Sequence, residues 1–220
     1  MKNKLFNYNG DVFWESKEIE FRHFIVNQVK DCLERSLRDQ NNAFRFFQIE
    51  SPILTPLSKI IDGYRDECFI ADTYALRPET TMGSYAYIEH LLVDKAQKLP
   101  FCVWQCGKSF RKEQDQPLTK MKLKEFYQLE FQMIYSESTK CDYSIKAIEA
   151  VKEFLCSILD DVTEEPSDRL PDYSESTTDL ISNGMEIASI SKRKDFQHPV
   201  LEFAFGLDRI VYQHFNRRNN

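Results

Sequence analysis

The sequence predicts an α+β domain built on an antiparallel sheet flanked by helices, and three observations carry that expectation. The strand-like segments are long, and most follow one another through hairpin connections. Helical periodicity appears only at intervals, not after every strand as a doubly wound parallel sheet requires. No G-x-G-x-x-G, no G-x-x-x-x-G-K-[ST] and no internal repeat occurs, so any nucleotide is held by another device.

Residues 17–38 place Phe21, Phe24, Ile25, Val29, Leu33 and Leu37 at helical spacing, with charges on the opposite face. "FRFFQIESPILTP" (44–56) is β-prone, and Pro52 and Pro56 mark a strand end or sheet edge. "YALRPETTMG" (74–83) reads as a short extended piece ending in a turn, and 84–97 as a helix. "LPFCVWQCGKSF" (99–110) and "LKEFYQLEFQMIYS" (123–136) read as two long strands around a charged segment. Residues 141–160 form an amphipathic helix through Ile145, Ile148, Val151, Leu155 and Leu159. "TEEPSDRLPD" (163–172) reads as a loop. "TTDLISNGMEIASIS" (177–191) is a hairpin whose Asn183-Gly184 suits a type I′ turn. "HPVLEFAF" (198–205) is a strand and "GLDRIVYQHFNRR" (206–218) a closing helix.

The 220 residues suffice for one well-filled core, and 42% hydrophobic with 29% charged residues is an ordinary globular composition. A net charge of −6 argues against general polyanion binding, although it leaves room for a local basic patch. The 6 cysteines show no C-x-x-C and no zinc-finger spacing, which fits reduced thiols in the cytoplasm. The first residues, "MKNKLFNYNGDVFW", lack the apolar core of a signal peptide, and no segment nears the ~20 apolar residues of a membrane span.

Alternation along the strands gives the functional signal. On 126–133, Tyr127, Leu129, Phe131 and Met133 make a core face, while Phe126, Gln128, Glu130 and Gln132 share the other. Glu202 stands with Val200 and Ala204, opposite Leu201, Phe203 and Phe205. Glu186 lies among Met185, Ile187 and Ala188, and Arg77 and Glu79 flank Pro78. If these strands share a sheet, Glu79, Glu130, Glu186 and Glu202 converge on one surface suited to an ammonium group or a divalent metal. Arg111 and Arg209 suit phosphate or carboxylate, because a guanidinium offers a rigid fork of donors. Charges buried together imply mutual pairing or a charged ligand.

Taken in order from about residue 17 to 218, these segments resemble the class II aminoacyl-tRNA synthetases, and the glycyl members most closely. "FFQIESPILTP" is similar to motif 1 (region 17–56), and "LRPETTMG" to the family's L-R-P-E-T-[AT]-Q-G. "QCGKSFRKE…KLKEFYQLE" resembles motif 2 (region 101–135). "DYSESTTDL…MEIASISKRKDF" resembles a glycyl-specific run, and "HPVLEFAFGLDRIVYQHF" motif 3 (region 198–218). The resemblance implies an enzyme that uses ATP and Mg²⁺ to convert a small amino acid, glycine foremost, into an aminoacyl-adenylate.

The roles it implies are specific. Arg111 binds the α-phosphate, Glu113 the adenine amino group, Phe126 the adenine ring, and Arg209 the γ-phosphate and leaving pyrophosphate, with Arg111 and Arg209 the catalytic pair. Met121, Lys124, Glu186 and Ile187 complete the ATP site. Glu79, Gln128, Glu130 and Glu202 hold the amino acid, with His198 and Ala204 beside them. Arg193 matches a glycyl-run arginine of unassigned role. Glu186 and Glu202 are the Mg²⁺ candidates, and Pro52 marks a homodimer interface. Lys120, Lys122 and Lys124 read either as a solvated loop or as contacts to a nucleic acid or to the phosphates of ATP.

Departures from the pattern fall around the amino acid and the acceptor. Ala204 replaces a serine, Phe203 a proline and Ser189 a glycine. Met82 replaces a glutamine, and Pro117 and Thr119 stand where an arginine and a glycine are usual. The expectation is a single catalytic-core domain over 1–220 without the family's anticodon-binding domain. Its acceptor is a tRNA acceptor stem, a carrier protein or a small molecule; the alternative is a non-catalytic accessory subunit.

Overall fold

The computed structural model describes residues 6–8, 11–41, 43–112, 121–138, 142–167 and 173–216. A hairpin of β1 (Phe6–Tyr8) and β2 (Asp11–Phe13) leads into α1 (Ser16–Gln40). β3 (Arg45–Gln48) follows, then a three-stranded sheet of β4 (Leu54–Pro56), β5 (Ile70–Ala71) and β6 (Tyr74–Leu76). Two 3₁₀ turns, Leu57–Lys59 and Asp62–Glu67, lie inside it. Next come α2 (Thr81–Val93), β7 (Phe101–Phe110), β8 (Glu125–Ile134) and α3 (Tyr143–Ile158). The chain closes with β9 (Val162–Pro166), β10 (Ser174–Ser182), β11 (Met185–Arg193), β12 (Val200–Gly206) and α4 (Leu207–Phe215).

The main sheet has seven strands in the order β3-β7-β8-β12-β11-β10-β9. Every pairing in it is antiparallel except β3 with β7. This is the α+β, antiparallel architecture that the sequence predicts. The alternation holds as well. Leu129, Phe131, Met133, Leu201, Phe203 and Phe205 bury against α1, α3 and α4. The α1 stripe of Ile25, Val29, Leu33 and Leu37 is fully buried there, so the helix is held by its apolar face more than by propensity. On the other face, α2 covers Phe101, Val103, Ile134 and Val200. The polar residues of the same strands lie past the end of that small core.

Two details depart from expectation. Residues 163–166, read as the start of a loop, belong to edge strand β9, which pairs with β10. Acidic residues and a proline lower strand propensity, yet Glu164 and Glu165 keep their side chains in water while the backbone pairs. Such charges and an ending proline are also what an edge strand tolerates. α2 begins at Thr81, before the expected start, so the end of the "LRPETTMG" run is helical. The hairpin turn is as expected: Asn183 and Gly184 both have positive φ, 48° and 72°.

Candidate active site on the open face of the sheet

β8 and β12 pair with Ala204 opposite Glu130 and Glu202 opposite Gln132, and β7 sets Gln105 opposite Glu130. β11 adds Ser189 opposite Ala204 and Ser191 opposite Glu202. These residues share the open face, where Glu79 and Thr80 arrive from the segment before α2. Glu79, Glu130 and Glu202 are all buried. Among the described residues Arg193 is the cation that ion-pairs with two of them: its side chain is 0% exposed and donates from Nη1 to Glu202 Oε2 at 2.7 Å. Its Nη2 lies 3.9 Å from Glu79 Oε1 and 2.6 Å from Asp195 Oδ2. Tyr173 stacks on its guanidinium, 4.0 Å from the ring centroid, and Tyr85 donates to Asp195 Oδ1 at 2.9 Å.

Three carboxylates plus Asp195 against one guanidinium leave the pocket short of positive charge. Burial raises the Glu79 carboxyl above the usual range despite Arg193. Burial first, then the Glu202 and Glu79 charges, raise Glu130 to about 7, although Thr81 Oγ1 donates to its Oε2 at 3.1 Å. Glu202 Oε2 also accepts from Gln132 Nε2 at 2.6 Å and Thr81 Oγ1 at 3.2 Å. Buried Oε1 atoms of Glu79, Gln128 and Gln132 have no hydrogen-bond partner among the described residues. Buried acceptors are rarely left unpaired, so this set asks for donors. An ammonium group brings three donors and the missing charge.

The second half of the site lies at the far ends of β7 and β8. Arg111 donates from Nε to Pro78 O at 3.0 Å, and Phe126 lies 5.3 Å and Tyr64 4.9 Å from its guanidinium carbon. Among the described residues no carboxylate lies within ion-pair distance of it, so its charge is free to meet an anion. The backbone joins the two strands here, with Arg111 N donating to Lys124 O at 2.9 Å. Arg209, in the first turn of α4, donates to Glu186 O at 2.9 Å and lies 3.6 Å from the exposed Glu186 carboxylate. A bulge aims that residue: Leu180 pairs with Ala188 but Ile181 with Glu186, so Ile187 is extra and joins the core.

The structure thus brings Glu79, Glu130 and Glu202 together with Gln128 and Ala204 along the same strands. Arg111 and Phe126 meet in the second half, where Met121 is buried and Lys124 exposed. Glu113 lies outside the described residues, as do Pro117, Thr119 and Lys120. His198 is half-buried before β12 and makes no hydrogen bond or ion pair among the described residues. Ile187 belongs to the opposite core. Glu186 does not join the other carboxylates: it lies five residues along β11 from Ser191, which faces Glu202, roughly 15 Å at strand rise. No single ion bridges Glu186 and Glu202, and Glu202 Oε2 is already saturated by donors. Among the described residues no three His, Cys, Asp or Glu side chains group to hold a metal. The residues therefore do not fit the expected Mg²⁺ pair. Sequence reasoning missed Tyr64, Thr81, Tyr85, Tyr173 and Asp195. Thr81, Tyr173 and Asp195 lie inside quoted runs without a role attached to them, while Tyr64 and Tyr85 carry no motif or periodic signal.

A family model described as the tRNA synthetase class II core domain (G, H, P, S and T) matches residues 64–212. The glycine–tRNA ligase of Mycoplasma genitalium is 30% identical over 131 residues, covering 55% of this chain and 29% of that protein. That of Mycolicibacterium paratuberculosis is 29% identical over 149 residues, covering 62% and 32%. The chain thus spans about a third or less of these relatives. The crystal structure of pyrrolysyl-tRNA synthetase from Desulfitobacterium hafniense superposes with a TM-score of 0.61 at 16% identity, covering 93% of this chain and 80% of that one. With its sheet, its paired-strand site and this match over most of its length, the chain belongs to the class II tRNA synthetase core family.

Proposed function

We propose that this chain activates a small amino acid, glycine foremost, with ATP, forming an aminoacyl-adenylate and pyrophosphate. One observation carries the reading: among the described residues, a buried cluster of three carboxylates ion-paired by one arginine adjoins a second arginine with no carboxylate within ion-pair distance. The pocket suits an α-ammonium, with Glu79, Glu130, Glu202 and Gln128 around it. Ser189 and Ala204 sit beside these carboxylates, so polar or small groups surround the ligand and a large apolar side chain finds no partner there. Arg111 meets the α-phosphate and stabilises charge as the amino-acid carboxylate attacks phosphorus and pyrophosphate leaves. Phe126 offers its ring to adenine, and Arg209 faces the leaving pyrophosphate. In-line displacement at phosphorus asks for positioning and charge stabilisation rather than a covalent nucleophile. No step is assigned to Mg²⁺.

The acceptor is a tRNA acceptor stem or a carrier protein, and the working form a homodimer. Pro52 is exposed, as are Ile53 at 43% and Leu54 at 50%, so an apolar edge is available for a second copy. No helix of the described residues is long and apolar enough to cross a membrane. Free thiols at Cys32, Cys68, Cys102, Cys106 and Cys156 support a cytoplasmic setting. ATP–pyrophosphate exchange across the twenty amino acids tests the reading. Exchange with glycine or another small amino acid is expected; a folded, ATP-binding sample that exchanges with none is an accessory subunit instead.

A further inference from the structure

Asp208 precedes Arg209 in the first turn of α4 and is only 3% exposed. Its Oδ1 lies 3.3 Å from Arg22 Nη1 of α1, and its Oδ2 accepts the Tyr127 N–H of β8 at 2.8 Å. The Arg22 guanidinium lies over the Tyr127 ring, 3.8 Å from the centroid. Three elements therefore meet at one carboxylate. The backbone explains the meeting. β12 stops pairing at Gly206, opposite Gln128, and the chain then turns into α4. The next amide of β8, that of Tyr127, has no strand partner on that side, and the Asp208 carboxylate takes the partner's place.

Tyr127 follows Phe126, and Asp208 precedes Arg209. One hydrogen bond therefore joins the immediate neighbours of the two residues assigned to opposite ends of ATP. A buried ion pair adds little stability compared with apolar residues of the same volume, so stability alone does not account for it. Orientation does: the carboxylate also sits at the positive end of α4, where its charge is favoured.

We propose that Arg22 and Asp208 form a brace that holds α4 against β8 and so sets the gap between Phe126 and Arg209. Both are positioning residues that touch no nucleotide. The inference rests on the ATP-site reading above. It predicts that nucleotide affinity responds to the brace while the carboxylate pocket does not.

The test uses the full chain, ATP and glycine as titrants in calorimetry, and amide exchange of Tyr127 by NMR. Asp208→Ala removes the acceptor. Its ATP affinity is expected to fall about tenfold, with glycine affinity within about twofold. The Tyr127 amide should exchange faster while that of Leu129, inside the β8–β12 ladder, stays protected. Arg22→Met with Asp208→Asn removes both charges but keeps an acceptor. That double variant should retain the slow Tyr127 amide and ATP affinity within about threefold of wild type. Unchanged ATP affinity in Asp208→Ala, or a parallel loss of ATP and glycine binding, overturns the brace. If Asp208→Ala does not fold, the double variant decides: a tenfold loss despite a slow Tyr127 amide overturns it. Wild-type protein that binds no ATP overturns the nucleotide reading itself, a failure distinct from that of the brace because the exchange comparison needs no ligand.

Discussion

Replacing Arg193 by Met tests whether one buried guanidinium holds the carboxylate pocket together. The change keeps length and apolar bulk but deletes three charge-assisted hydrogen bonds, two to Asp195 at 3.1 and 2.6 Å and one to Glu202 at 2.7 Å. Removing one partner of a buried pair typically costs about 3–5 kcal/mol. Protonation sets a ceiling. Neutralising one carboxylate with an ordinary value near 4.5 at pH 7.5 costs about 4 kcal/mol, at 1.36 kcal/mol per pH unit. The loss at pH 7.5 should therefore be about 3–5 kcal/mol, a large part of the roughly 5–15 kcal/mol available to a domain. The sign with pH follows from the same groups. In the variant, Glu79, raised by burial and no longer opposed by Arg193, binds protons more tightly folded than unfolded, so folding is favoured as pH falls. At pH 5.5 the ceiling drops by about 2.7 kcal/mol, and the variant should recover much of its deficit relative to wild type. Urea titrations followed by circular dichroism at the two pH values measure this. A loss below about 1 kcal/mol, or a loss equal at both pH values, refutes Arg193 as the pocket's counter-charge.

Glu130 gives a second pH test. Its carboxyl is raised to about 7, mainly by burial, and an ammonium ligand needs it ionised. Glycine affinity measured by calorimetry should rise between pH 6 and 8, with proton release on binding; affinity flat over that range removes Glu130 from the site. Gly107→Ala should destabilise by about 2 kcal/mol or more in a thermal melt. A Cβ there would lie 2.2 Å from Arg77 Nη2, and that guanidinium donates to Lys108 O and Ser51 O at 2.8 Å. A melt like that of wild type would mean that Arg77 is free to move. Phe126→Ala should weaken ATP binding about tenfold, through lost stacking of about 1–3 kcal/mol, without moving glycine affinity. Equal effects on both ligands would contradict the separation of the two half-sites.

Much of the fold was legible because period-2 alternation on 126–133 and 200–205 assigns faces without any structure. Those faces are where Leu129, Phe131 and Phe203 pack and where Glu130 and Glu202 meet. β9 was not legible, since an acidic strand ending in proline pairs through its backbone alone. Glu186 fails to meet the other carboxylates for a different reason: alternation assigns a face but no height along the strand, and Glu186 lies well along β11 from Ser191, which faces Glu202. The aromatic partners Tyr64, Tyr85 and Tyr173 come from segments of different register. Their convergence on Arg111 and Arg193 exists only once the chain is folded. Arg77, which flanks Pro78 with Glu79, spends its donors on backbone carbonyls and on Ser51.

The central claim is that the carboxylate pocket and the Arg111–Phe126 end form one contiguous site for an aminoacyl-adenylate. Calorimetry with glycyl-sulfamoyl-adenosine, a stable mimic of that intermediate, tests it most directly. A single contiguous site predicts that the mimic binds at least about a hundredfold tighter than either ATP or glycine, because joining the halves removes one association cost. Binding no tighter than that of ATP alone would contradict the claim.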